Sequence, residues 1–180
     1  MSNILVITGS ARPNSVNRSI VNEVTTQLKK RHDVDVTVAD LLDLALPFFN
    51  SPIVPSSTDH SSTPEGVKRL SKLVLASDGV IFVAPEYNHS LSAIQKNAID
   101  WLYSEWRDKP AAFVGYGAYA GKHSYEAFQV VNAVVKMSLV DTIAGIKLGD
   151  IVSYEGEVLN RARLDDILTI TLDELVAAIK

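Results

Sequence analysis

The sequence predicts an α/β fold: a doubly wound parallel sheet with helices on both faces. Two observations carry this prediction. Short apolar, β-branched runs alternate with stretches of helical periodicity about five times along 180 residues. The most apolar run, Gly79 to Ala84, has the length of a strand buried on both faces, which is what a central parallel strand requires.

The elements follow in order. Asn3 to Thr8 is a β-branched run ended by Gly9 and reads as a buried strand. Ile20, Val24 and Leu28 then recur every fourth residue, giving an amphipathic helix that ends near Lys29, Lys30 and Arg31, where cations complement the helix dipole. Val34, Val36 and Val38 alternate with polar residues as a second strand. Residues 41–63 form a long connection rich in Pro, Ser and Asp. Thr63-Pro64-Glu65 is read as a helix start, with a hydroxyl cap, a proline at the first helical position and an acid in the first turn. Val67, Leu70 and Val74 supply that helix with its core stripe. After Gly79 to Ala84, residues Ile94, Ala98, Trp101 and Leu102 mark a helix taken to run from about Ser92 to Trp106. Ala111 to Gly115 is the fourth strand. Tyr125, Phe128, Val131 and Val135 mark the next helix, and Leu139 to Ala144 the fifth strand. Tyr154-Glu155-Gly156-Glu157 reads as a turn, and Leu164, Leu168, Leu172, Leu175 and Ile179 as a C-terminal helix. A chain of this length is expected to form one domain over residues 1–180.

Composition narrows the function. The chain has no cysteine, which excludes disulfides, iron–sulfur clusters and thiol nucleophiles; any electrons must be carried by a non-covalent cofactor. The net charge is −4, with both signs interspersed, so no basic face for nucleic acid is expected. No apolar run is long enough for a membrane span, and the first ten residues lack a basic region and a long apolar core. The expected location is cytoplasmic. His123 and His60 have no partners at metal-ligand spacing, so no metal site is expected.

In doubly wound sheets ligands bind beyond the carboxyl ends of the strands, which directs attention to three loops. The first, TGSARPNSVNR over residues 8–18, is neither a Walker A motif nor a G-x-G-x-x-G fingerprint. Ser10, Ser15 and Asn17 offer side-chain donors, Arg12 a forked cation, and the following helix its N-terminal amides; a phosphate monoester suits this set. The plainer reading is an ordinary βα turn capped by Ser15. The second loop begins at Ala84 with Pro85, Glu86, Tyr87, Asn88 and His89, rigid and flat groups against which a planar heterocycle can lie. The third, GYGAYAGKHSYE over residues 115–126, is rich in Gly and Ala, which permits close backbone approach to a flat ligand. Packing and flexible connection are the plainer readings of these two.

GSARPNSVNR followed by PEYNHS and KNAIDW resembles the NADPH-dependent FMN reductases, a flavodoxin-like group that includes azo-, quinone- and chromate-reducing enzymes. The strong motifs run from Asn3 to about Asp100. The resemblance implies a five-stranded sheet of order 2-1-3-4-5. It implies FMN, with its phosphate on Ser10, Arg12, Ser15 and Asn17. It places the isoalloxazine and ribityl along Pro85, Glu86, Tyr87 and Asn88, chiefly on the backbone of residues 86–88, and the ring's pyrimidine side against Gly117 and Ala118. NADPH or NADH is the implied hydride donor, a small-molecule acceptor such as a quinone, azo compound, metal oxyanion or free flavin the implied oxidant, and no side chain is nominated as a catalytic acid or base. Where the family has Pro-Gly before the Lys-Asn-Ala helix, this chain has Ser92-Ala93, with Ser90 or Ser92 available as cap. Tyr116 and Tyr119 stand where small residues are common, and either is large enough to cover the flavin or narrow the acceptor site; the sequence leaves open which does so. The competing readings are a flavodoxin-type electron carrier and a phosphate-ligand enzyme without flavin.

A homodimer or homotetramer is also expected. Trp101 and Trp106 lie five residues apart, about 140° on a helix, so both cannot face one sheet. Trp106 and Tyr103 are therefore expected to need cover from a partner subunit, a role in which large aromatics are enriched.

Overall fold

The computed structural model describes residues 1–60 and 64–180. The chain runs β1 (Ser2–Ile7), α1 (Asn17–Lys29), β2 (Val34–Ala39), α2 (Leu41–Leu44), α3 (Glu65–Leu75), β3 (Gly79–Pro85), α4 (Ala93–Asp100), β4 (Pro110–Gly117), α5 (Lys122–Val135), β5 (Ser138–Leu139), β6 (Ala144–Lys147) and α6 (Arg161–Ala178). The sheet is parallel in the order β2-β1-β3-β4-β5, with β6 also paired to β4.

Side chains alternate across each strand and divide the core in two. Ile4 and Val6 of β1, Ile81 and Val83 of β3, and Ala112, Val114 and Tyr116 of β4 face α1 and α6. Leu5, Ile7, Val80, Phe82, Ala84 and Phe113 face α3, α4 and α5. β3 is buried along its whole length and lies at the centre of the sheet. The predicted stripes behave as expected: Val67, Leu70 and Val74 of α3 and Leu164, Leu168, Leu172 and Leu175 of α6 are all fully buried. Each such side chain contributes about 1.5–3 kcal/mol of transfer free energy. The hydroxyl of Thr63 lies outside the described residues; Pro64 occupies the cap position of α3 and makes no side-chain cap bond. For α4 the cap is Ser92, whose Oγ accepts from the Gln95 amide.

Three expectations change. The fifth strand, read as one segment from Leu139 to Ala144, is split. β5 pairs with Pro110 and Ala111, and β6 with Val114 to Gly117. Between them the Thr142 amide donates to Glu174 Oε2 at 2.9 Å, and the Thr142 side chain, together with this amide, holds the Glu174 carboxyl below its ordinary pKa. The long connection after β2 contains α2 and is pinned to α4: Asn97 Nδ2 and Trp101 Nε1 both donate to the Pro47 carbonyl, at 2.9 and 2.7 Å.

The third change concerns the tryptophans. α4 ends at Asp100, so the helical-wheel argument does not reach Trp106. The chain folds back after Trp101, and both indoles enter the same core cluster. Trp106 is fully buried within its own chain, donates from Nε1 to the Ile99 carbonyl at 3.2 Å and packs on Phe82. Tyr103 is half-buried against the same cluster. Trp106 therefore needs no partner subunit for cover. No helix among the described residues is long and apolar enough to cross a membrane.

Candidate flavin site

The three loops meet beyond the carboxyl ends of β1, β3 and β4. The first is fastened to the sheet from below. A Cβ on Gly9 would stand 2.3 Å from the Val83 carbonyl oxygen and 2.5 Å from Pro85 Cδ, so only glycine lets the chain pass here. Asn17 is 1% exposed; its Oδ1 accepts from the Gly9 amide at 3.1 Å and its Nδ2 donates to the Val83 carbonyl at 2.9 Å. Its carboxamide thus lies beneath the loop, joining the ends of β1 and β3 to the start of α1, and not in the mouth where a phosphate was expected to meet it. Ser15 Oγ accepts from the Asn17 amide at 3.2 Å, while α1 itself has no side-chain cap. Arg18 pairs with Asp40 at 3.2 Å. Arg12 is exposed and forms no ion pair among the described residues, so it is the uncompensated cation of this loop.

The second loop is a tight turn. Tyr87 and Ser90 exchange backbone hydrogen bonds of 3.2 and 3.0 Å, and the two residues between them, Asn88 and His89, have φ of 50° and 57°. Positive φ at both central positions is the type I′ pattern, for which asparagine is well suited. The Tyr87 hydroxyl lies 2.7 Å from Ser10 Oγ, and its ring faces the Arg12 guanidinium at 5.9 Å from the centroid. First and second loops are thereby joined through side chains.

The third loop begins where β4 ends. Gly117 has a φ of 154°, and a Cβ there would meet Glu86 Cβ at 3.1 Å. The Glu86 amide donates to the Tyr116 carbonyl at 2.9 Å, so the amides of Glu86 and Tyr87 are both committed to protein acceptors. The Asn88 and Ala118 amides make no hydrogen bond among the described residues. These amides, rather than the whole stretch 86–88, are free to read a ligand.

A cavity of about 340 Å³ opens between the loops. Arg12, Ser15, Pro85, Glu86, Tyr87, Gly117 and Ala118, all named from the sequence, line it. Ser10 acts from behind through Tyr87, and Asn88 sits exposed at the turn. Tyr116, Leu148 and Tyr154 complete the wall. Sequence reasoning did not place Leu148 and Tyr154 here. The visible signal was the turn at Tyr154: its Ser153 amide donates to the Glu157 carbonyl at 2.8 Å, and the hairpin folds back so that Gly156 packs on Ser19 of α1.

The two tyrosines of the third loop take different courses. Tyr119 is 59% exposed and packs edge-on against His89 and His123. Tyr116 follows the strand alternation downward onto the α1 side and is 4% exposed, so it cannot cover a ring at the mouth. Burial pushes its phenol up to about 12; Ser15 and Asn17 oppose that shift, but the hydroxyl has no hydrogen-bond partner among the described residues.

The expectation that His123 stands apart from other ligand-type groups is overturned. Glu86, His89 and His123 present ligand atoms within 4.8 Å of one another. The grouping was illegible because His123 comes from a different loop than Glu86 and His89. The His89 and His123 rings are stacked, with centroids 4.0 Å apart and planes 15° apart. Ring lone pairs lie in the ring plane, so this stack directs them side by side and not onto one ion; a cation would require His89 to turn. As arranged, Glu86 is hydrogen-bonded to His123 and His89 stacks on His123, which ties the second loop to α5.

Residues 2–147 match the NADPH-dependent FMN reductase family. The chain belongs to this family. Among curated relatives it is 33% identical over 147 residues to the NAD(P)H-dependent FMN reductase ntnL of a Nectria species, covering 79% of this chain and 73% of that protein. It is 29% identical over 136 residues to an NADPH:quinone oxidoreductase of Arabidopsis thaliana, covering 71% and 65%. Among solved structures, FerB, a flavoenzyme NAD(P)H:(acceptor) oxidoreductase from Paracoccus denitrificans, superposes with a TM-score of 0.76 at 25% identity, over 99% of this chain and 97% of that one. The reductase is thus an oxidoreductase whose expected cofactors are FMN and NAD(P)H. The residues present fit FMN. The Arg12 guanidinium, without an ion pair among the described residues, the Ser15 hydroxyl and the uncapped start of α1 meet one part of the cavity, and the free Ala118 amide beside the side-chain-free Gly117 meets another.

Proposed function

We propose that the cavity holds FMN with its phosphate at Arg12 and Ser15 and its ring between the Tyr87–Asn88 and Gly117–Ala118 segments, and that the reductase passes hydride from NAD(P)H to an oxidised small molecule such as a quinone, azo compound, metal oxyanion or free flavin. The observation that carries this reading is the convergence on one cavity of Arg12, which forms no ion pair among the described residues, with the Ser15 hydroxyl and the free Ala118 amide. When bound, FMN supplies the hydride chemistry. Arg12 and Ser15 bind and orient the phosphate. Tyr87, held by Ser10, fixes the distance between phosphate end and ring end. The free Ala118 amide in the cavity wall is a preorganised donor of the kind that stabilises negative charge growing on reduction. No side chain is assigned as acid or base.

The test is steady-state oxidation of NADPH by the yellow holoprotein with and without a quinone. Turnover that depends on the quinone supports the reading. Flavin without NADPH oxidation supports a carrier, a reading disfavoured by a net charge of only −4, since carriers of that type dock through strong acidity. No flavin binding at all leaves the phosphate-ligand enzyme. Association into a homodimer or homotetramer and a cytoplasmic location belong to the same proposal. Phe48 and Val54, 81% and 62% exposed in the connection beside α4, are apolar groups available to a second copy, and light scattering reads the mass directly.

A further inference from the structure

We propose that the Tyr116 hydroxyl is a hydrogen-bond donor to the ligand's phosphate, reaching it from the cavity floor beneath the first loop. The inference rests on the flavin reading and extends it to a residue outside the phosphate-loop motif.

Three facts converge on it. Tyr116 is 4% exposed, yet its hydroxyl has no partner among the described residues. Native proteins pair such groups almost without exception, so an orphan beside a cavity marks a missing partner. The residue lines the cavity together with Arg12 and Ser15, at the end built for an anion. Ser15 and Asn17 are the side chains that oppose the rise of its pKa, but neither is hydrogen-bonded to it: Asn17 is committed to Gly9 and Val83, and Ser15 Oγ accepts from the Asn17 amide. Burial keeps the phenol protonated to about pH 12, so it presents a donor over the working range. A phosphate oxygen is the acceptor this neighbourhood lacks. It accepts several hydrogen bonds, and it brings the negative charge that Arg12 has no carboxylate to balance.

The test is Tyr116→Phe, which removes the hydroxyl and keeps the ring. Apoprotein is titrated with FMN, riboflavin and inorganic phosphate. The expected result is about a tenfold or greater loss of FMN affinity, the scale of a hydrogen bond to a charged group, with riboflavin unchanged. Apoprotein melting temperature should stay level or rise, because the lost hydroxyl had no partner. An unchanged FMN affinity overturns the inference and assigns the hydroxyl to a buried water. Wild-type protein that binds riboflavin as tightly as FMN defeats the phosphate site itself, so the two failures are distinguishable. Should the variant not fold, the wild-type tyrosine titration decides. FMN, but not riboflavin, should move the last tyrosine to higher pH, and an unmoved step overturns the proposal.

Discussion

Glu86 and His123, 37 residues apart, are joined twice: the ring Nδ1–H donates to Oε1 at 2.9 Å and the backbone amide donates to Oε2 at 3.0 Å. Gly121, at the cap position of α5, has no side chain to offer, so a carboxylate from the second loop serves the α5 N-terminus instead. The side chain of Glu86 is 4% exposed, and the bond fixes the separation of two cavity walls.

Removing that carboxylate has two effects. Glu86→Ala should destabilise the fold by about 1–3 kcal/mol, the range for leaving a partly buried donor unpaired. It should also weaken FMN binding by loosening the walls. Denaturant unfolding followed by a flavin titration measures both; a variant with wild-type stability shows that the clamp carries no energy.

Arg12→Ala should weaken FMN by about 2–3 kcal/mol, as expected for a charge-assisted hydrogen bond to phosphate. Riboflavin should be nearly indifferent. Equal losses for both flavins show that Arg12 does not touch the phosphate.

Tyr87 is half-buried, and its hydroxyl contacts Ser10 outside the two core clusters. Tyr87→Ala should lower flavin affinity while the melting temperature of the apoprotein changes little. A variant that unfolds would place Tyr87 in the packing and not in the site.

Trp106 belongs to the core. Trp106→Ala should cost about 3–5 kcal/mol, as large-to-small changes at filled sites do. Its expected signature is a lower denaturation midpoint at unchanged molecular mass. Dissociation of an assembly without loss of protomer stability is the result that contradicts the burial seen here.

Alkaline pH supplies a fifth check. Tyr116 has its phenol raised to about 12 in the folded chain, against about 10 for an unfolded tyrosine. A raised pKa gives stability that is fully present below pH 10 and lost as pH climbs through about 12, because the unfolded state releases its proton first. Of the six tyrosines, one should ionise near 12 in an absorbance titration, and Tyr116→Phe should remove that step. A variant with an unchanged curve places the buried phenol elsewhere.

Local patterns in the sequence translate directly into structure. The four-residue recurrence of Ile20, Val24 and Leu28 and the stripe of Val67, Leu70 and Val74 are buried as read, because periodicity reports the face that an element turns to the core. The loops were legible because topology alone places strand ends together. What escaped was long-range. Nothing near Glu86 announces His123, and nothing near Trp106 shows that α4 stops six residues earlier and lets the indole turn inward. The split fifth strand has the same origin, since the bond that holds Thr142 out of the sheet comes from Glu174, on a helix that begins 19 residues later. Tyr116 shows a subtler limit: its place on the strand was clear, but the face it takes follows from counting along β4 from Ala112 and Val114, whose burial side only the fold reveals.

The carboxamide of Asn17 has a kinetic consequence. By bridging Gly9 and Val83 it sets the first loop in shape through contacts internal to the protein. The entropy of ordering that segment is thus lost when the chain folds, and encounter with a ligand need not lose it again. Association should then proceed as a single-step capture whose rate follows ligand diffusion and charge, with no slow rearrangement phase at high ligand concentration. Asn17→Ala would separate the two processes in time, giving a saturating association rate that reports loop ordering as its own event.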